Sequence, residues 1–274
     1  MKPDKRITNR EFKLLLKPDG LDRRSRVLQL SELLIIFCKK SEVLFNHIDN
    51  ANTGLRTVNF YDTPDEDLRR NKLILRIRES RHNVWVDDWC ELTLKCRAHT
   101  LEESLAMNPK PLNAHHRLRL KEEILRDDEQ GTMKSIYSNN AIMDMVPLDK
   151  IFDRSLESVA AFFPGISKLK LPKNTPVNLV GGKSNKVLEA CLPLGNLFFG
   201  ENVHAHCDIG IWMRNIGEPI IGELAFSYHV NSTNRDDTKS HKKADKFFRK
   251  LQTAIPEWLA EGTTKTALIY GKPE

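Results

Sequence analysis

Acidic and basic side chains alternate along several short segments of this chain, two residues apart. Glu11 and Lys13 flank Phe12, and Arg76 and Arg78 flank Ile77. Glu91, Thr93, Lys95 and Arg97 repeat the spacing, as do Arg117, Arg119, Lys121 and Glu123. In an extended strand, residues two apart share a face. Each segment therefore sets an ionic face against an apolar one. In a half-buried sheet the ionic face meets water. In a barrel, the apolar face can turn outward against helices while the ionic face lines a hydrated interior. Charge enclosed in that way must be paired, solvated or holding an ion.

The surrounding pattern supplies elements to position these side chains. Alternation or β-rich composition predicts strands over 11–17, 58–61, 73–78, 89–97, 117–125, 177–180, 186–191, 202–214, 219–230 and 263–270. Helical spacing of Val27, Leu30, Leu34, Phe37 and Cys38 predicts an amphipathic helix over 27–44. Leu156, Val159, Ala160 and Phe163 predict a short one ended by Pro164-Gly165, and Ala244, Phe247, Phe248 and Leu251 a longer one over 240–259. Asp62-Thr63-Pro64-Asp65 reads as a turn. Residues 100–115, with Pro109 and Pro111, read as a loop, and 131–148 show no clear period.

Composition narrows the class. The 274 residues are 40% hydrophobic and 29% charged, as in a soluble globular protein. A net charge of +6 favours an anionic partner, but 43 basic against 37 acidic residues is too even for a nucleic-acid-binding tail. Five cysteines without a CxxC pair argue against a disulfide framework or a four-cysteine zinc site, and read as buried thiols of a reducing compartment. The first residues lack the apolar core of a signal peptide, and the longest apolar run, 33–38, is too short to cross a bilayer. A cytoplasmic protein without membrane attachment, monomeric or homodimeric, is expected.

Other constellations carry less. His204 and His206 share a strand face while Cys207 points away, so a zinc site lacks ligands. Gly181-Gly182-Lys183-Ser184 has Val177 where a phosphate-binding loop needs glycine, and leads into a strand; it reads as a turn. Trp85, Trp89, Trp212 and Trp258 read as packing residues, and the basic run of 240–259 as a solvated helix face.

Taken in order, the segments resemble the CYTH family, the triphosphate tunnel metalloenzymes. The matching stretches are Asn9-Arg10-Glu11-Phe12-Lys13, Tyr61-Asp62-Thr63-Pro64-Asp65, Leu75-Arg76-Ile77-Arg78, Trp89 to Lys95 and Lys121-Glu122-Glu123-Ile124. Asp208, Gly222-Glu223-Leu224 and Thr264-Lys265-Thr266 complete the set, which spans nearly the whole chain. The Arg-Glu-Phe-Lys-Leu-Leu-Leu-Lys start looks especially like bacterial CYTH-domain proteins. The resemblance implies an α+β fold: an eight-stranded antiparallel β-barrel, open as a tunnel and flanked by helices. It would be one domain over 1–274, with insertions near 98–116 and 127–175.

The resemblance further implies hydrolysis of a triphosphate, inorganic or carried by a metabolite or nucleotide, with Mg²⁺ or Mn²⁺. Lys13, Arg76, Arg78, Lys95, Arg119, Lys121 and Lys265 would bind phosphate. Glu11, Glu123, Asp208 and Glu223 would hold metal, with Glu11, Lys13 and Glu223 catalytic. Arginine forks match phosphate oxygens, lysine adds point charge, and magnesium takes carboxylate and water oxygens. Two departures stand out. The family's opening Glu-x-Glu-x-Lys has Asn9 for its first acid, and its later Glu-x-Glu has Ala225 for its second. Those losses leave open a module that binds polyphosphate or nucleotide without cleaving it. An adenylate cyclase and a nucleic-acid-binding protein are further, weaker alternatives.

Overall fold

The computed structural model describes residues 4, 6–49, 53–82, 85–113, 115–127, 131–147, 155–182, 185–230, 238–261 and 264–271. Its strands are β1 (Asn9–Leu16), β2 (Leu44–His47), β3 (Gly54–Asp62), β4 (Leu73–His82), β5 (Trp85–Ala98), β6 (Arg117–Arg126), β7 (Met133–Pro147), β8 (Asn178–Leu179), β9 (Val187–Phe198), β10 (His204–Met213) and β11 (Pro219–His229). The helices are α1 (Arg24–Lys40), α2 (Asp67–Arg70), α3 (Leu101–Ala106), α4 (Leu156–Phe162), α5 (Thr238–Ala254) and α6 (Lys265–Tyr270).

Among the described residues the strands form one sheet, ordered β2-β9-β10-β11-β1-β6-β7-β5-β4-β3-β8, which an additional β9–β3 pairing closes on itself. The fold is α+β, a closed barrel with flanking helices. β2 and β8 lie outside the ring, leaving nine strands within it rather than the expected eight. An odd ring cannot alternate direction throughout, so at least one pairing is parallel and the all-antiparallel expectation is corrected. The strand without a readable period is β7. Its centre carries Ser138, Asn139 and Asn140, which blur the apolar alternation. Two further corrections are local. α3 lies inside the stretch read as loop, and residues 265–270 form α6 rather than a final strand.

The chain divides into two compact units. Unit 1 comprises Met1–Gly54, Glu122–Ser135 and Glu189–Thr264. Here the even positions of β1 face a helix. Phe12 stacks on Phe226 of β11 with ring centroids 4.6 Å apart and meets Phe248 of α5 at 5.2 Å. Beside this aromatic core Arg10 is 2% exposed. Its Nε donates to Glu122 Oε2 (2.8 Å), its Nη1 to Tyr228 (3.1 Å), and its Nη2 pairs with Asp245 of α5 (3.1 Å). Ser135 Oγ donates to the other Glu122 oxygen. A buried cation is tolerable because it is paired and hydrogen-bonded in this way. Ser31, in the body of α1, shares a 2.8 Å hydrogen bond with His47 Nε2 and so ties α1 to β2.

Unit 2 comprises Leu55–Lys121, Ile136–Leu188 and Lys265–Glu274. Leu73, Leu75 and Ile77 of β4, Leu92 and Leu94 of β5, and Ala141 and Met143 of β7 build one apolar layer. Leu156 and Val159 of α4, with Phe163, cover it. Ser155 caps α4 through a capping box with Ser158. The 62–65 turn forms as expected. Asp62 accepts backbone N–H groups of Thr63 (2.7 Å), Leu68 (2.9 Å) and Arg69 (3.0 Å), and the Tyr270 hydroxyl of α6 donates to it at 3.0 Å. Burial raises the Asp62 pKa despite these donors. Gly181 and Gly182 both have positive φ, as a turn there requires; Lys183 and Ser184 lie outside the described residues.

Candidate functional site

The ionic strand faces gather charge in each unit. In unit 1, antiparallel register sets Lys13 of β1 opposite Ala225 of β11, and Ala225 opposite Asp208 of β10. Glu11 is paired with Ser227, and Glu223 with Leu15 and Gly210. Strand alternation therefore puts Glu11, Lys13, Asp208, Glu223 and Ala225 on one face, away from the Phe12 core. Lys13 Nζ lies 3.1 Å from Glu11 Oε2 and 3.3 Å from Glu123 Oε2 of β6. The Glu123 side chain is 2% exposed, and Asp208 and Glu223 are half-buried. At the end of the row, buried Asn9 donates through Nδ2 to His229 Nδ1 at 3.0 Å.

In unit 2, β4 and β5 pair Arg78 with Glu91 and Arg76 with Thr93. Arg78 Nη1 and Arg76 Nη2 donate to Glu91 Oε1 at 3.2 and 3.3 Å, and Thr93 Oγ1 does so at 3.3 Å. Arg117 Nη2 of β6 lies 3.7 Å from Glu91 Oε2 and is gripped bidentately by Asp144 of β7, at 2.8 and 2.7 Å. Burial pushes the Glu91 carboxyl up, but the charges of Arg78, Arg76 and Arg56 outweigh it and hold the pKa at about 2.

The expected phosphate binders Arg76 and Arg78 thus meet at one carboxylate. Lys95, paired with Ile74 and Asn140, shares the Glu91 face of β5 by alternation. Arg119 and Lys121 share the Arg117 face of β6. Lys265 opens α6 instead of lying on a strand. Arg117, Asp144 and the field of Arg56 were not among the expected site residues. Arg117 could have been found, since it continues the alternation of Arg119 and Lys121; Asp144 could not, because β7 has no legible period.

A hard divalent cation takes several carboxylate oxygens. Glu11 and Glu123 are of the right chemistry, yet the ammonium of Lys13 already bridges them. Among the described residues no three His, Cys, Asp or Glu side chains are grouped to hold a metal ion, so this arrangement does not by itself fit the magnesium or manganese that the resemblance implies. The same holds for His204 and His206, which are exposed while Cys207 is buried. Among the described residues none of the five cysteines forms a disulfide; four are buried, and burial pushes the thiols of Cys38 and Cys90 up to about 12. No helix among the described residues is long and apolar enough to cross a membrane.

No family model and no curated protein matches the chain. Among solved structures it is similar to HpAC1 from Hippeastrum, described as an adenylyl cyclase candidate with a dominant triphosphatase activity, at 16% identity and a TM-score of 0.48 over 98% of both chains. An adenylate cyclase candidate from Bacillus halodurans follows at 13% identity and a TM-score of 0.44, covering 96% of this chain and 100% of that one. Another, from Vibrio parahaemolyticus, has 12% identity and a TM-score of 0.39, over 94% and 97% of the two chains. At these values the likeness carries no weight on activity.

Proposed function

We propose that this chain binds a linear triphosphate, inorganic or carried by a metabolite or nucleotide, and hydrolyses it. The observation that carries the reading is the convergence of Arg76, Arg78 and Arg117 on one anionic point, with Arg56 close enough to act on it. Guanidinium forks carried by strands of one sheet suit the oxygens of a phosphoryl group, and strand pairing holds them in place before a ligand arrives. Lys95, Arg119, Lys121 and Lys265 would extend the cationic lining. In unit 1, taken by itself, Lys13 would bind phosphate from between Glu11 and Glu123, with Glu11 and Glu223 as its catalytic carboxylates and Asp208 beside them. Charge accumulating on the leaving phosphate would be absorbed by the arginines, so positioning and electrostatics carry the catalysis without a covalent nucleophile.

The test is phosphate release from tripolyphosphate, ATP and thiamine triphosphate, with Mg²⁺, with Mn²⁺ and with chelator. Release that is lost in Arg76→Ala and Glu223→Gln supports the reading, and release that also needs either ion adds the divalent cation that the resemblance implies. Release unchanged by both substitutions removes it.

Binding without cleavage is the second reading. Asn9 and Ala225 withhold two carboxylates from the acidic face, and Ala225 stands between Lys13 and Asp208 in the register. Tight tripolyphosphate binding by calorimetry, with phosphate release at background under both ions, would select it.

A further inference from the structure

The centre of the arginine cluster is already taken by an anion of the protein's own. Glu91 Oε1 receives Arg76, Arg78 and Thr93, while Oε2 faces Arg117. A two-oxygen anion accepting from several fork donors makes the contacts that a phosphoryl group would make there. The placement follows from the backbone, since Glu91 is the register partner of Arg78 and its side chain is only 22% exposed.

We propose that Glu91 is a resident counter-anion which a polyphosphate must displace, and that it sets the cluster's preference for polyanions over single phosphates. The inference rests on the triphosphate reading and adds a specificity residue to it. Because Glu91 stays ionised down to about pH 2, it cannot vacate the cluster by taking up a proton at neutral pH. An incoming orthophosphate, carrying about two negative charges at most near neutral pH, exchanges one anion for another and is repelled by the carboxylate it dislodges. A triphosphate brings more charge. Once one phosphoryl group is held on neighbouring cations, the next competes with Glu91 at the raised local concentration of a tethered group. Meanwhile Glu91 keeps the unliganded arginines aimed at a common point, so little reorganisation remains for the ligand to drive.

Glu91→Gln keeps the shape and removes the charge. Calorimetry with orthophosphate, pyrophosphate and tripolyphosphate, without metal and with chelator, is to be compared between this variant and the unsubstituted protein. The variant should bind orthophosphate about tenfold tighter or more, the scale of one charge-assisted hydrogen bond, and tripolyphosphate by a smaller factor. The preference for tripolyphosphate should therefore shrink. If the unsubstituted protein binds tripolyphosphate and the variant keeps the same preference, or binds orthophosphate no better, the triphosphate reading stands and the role of Glu91 falls. If the unsubstituted protein binds no tripolyphosphate, either with chelator or with Mg²⁺ added, both fall. A readout independent of the variant's folding is the side-chain carboxyl carbon resonance of Glu91 in the unsubstituted protein. It should move on titration with tripolyphosphate and stay in place with equimolar orthophosphate. An unmoved resonance at saturating tripolyphosphate overturns the proposal.

Discussion

At the scale of residues, the site depends on the guanidinium forks gathered at Glu91. Arg76→Ala and Arg78→Ala should each weaken tripolyphosphate binding about tenfold or more, and Arg78→Lys should recover little, because an ammonium cannot reproduce a fork. Equal affinity in Arg78→Lys by calorimetry would refute a bidentate role. Acid stability gives a second check. Glu91 has its folded pKa depressed to about 2. Its stabilising contribution is therefore fully present above the ordinary carboxylate value of about 4.3 and disappears as pH falls through about 2. Asp62, raised by burial, contributes with the opposite sign. The melting-temperature difference between the unsubstituted protein and Glu91→Gln should accordingly narrow between about pH 4.5 and pH 2, and a difference that stays constant with pH would contradict the assignment.

At the scale of elements, each ionic face exists because its reverse is apolar and covered. Phe248 of α5 is 1% exposed and joins Phe12 and Phe226 in the unit 1 core. Phe248→Ala should cost about 3–5 kcal/mol in denaturant unfolding while leaving tripolyphosphate affinity per folded molecule unchanged. Glu122→Gln leaves the buried Arg10 guanidinium short of a counter-charge and should cost a comparable amount, about 3–5 kcal/mol. How much of this was legible depends on the element. β1, β4, β5 and β6 show themselves because charge and hydrocarbon alternate along them without interruption. α1, α4 and α5 do so because their apolar residues recur at helical spacing. α3 was masked by Pro109 and Pro111, although Thr100 and Glu103 form the T-x-x-E start of a helix, and Thr100 Oγ1 does accept Glu103 N–H at 3.3 Å. α6 is six residues long, too short for its period to be told from alternation, and it buries Ala267, Ile269 and Tyr270. Composition could name the charged residues of the site. It could not show that Glu91, rather than a ligand, stands among the arginines, since that follows from cross-strand register.

At the scale of the whole molecule, the excess of positive charge has an address. α5 carries Lys239, Lys242, Lys243, Lys246, Arg249 and Lys250, and its one acid, Asp245, is buried against Arg10. Without those six, the 43 basic residues become 37 and equal the 37 acidic ones. Reversing Lys242, Lys246 and Arg249 to glutamate lowers the net charge by two at each position and takes it from +6 to zero. Retention on a cation exchanger should be lost, while tripolyphosphate affinity at physiological salt stays within about twofold, because α5 packs behind β1 on its Phe12 side and exposed charges are screened over about 8 Å. A larger drop would tie α5 to the site. The chain passes between the two compact units at 54/55, 121/122, 135/136, 188/189 and 264/265, and the middle three crossings lie inside the continuous strands β6, β7 and β9. Heating should therefore give one calorimetric transition; two resolved transitions would show that the units melt separately. A gene cut at any of those three positions would encode torn strands instead of portable modules. Neither half could have been borrowed from, or lent to, another protein without its missing edge.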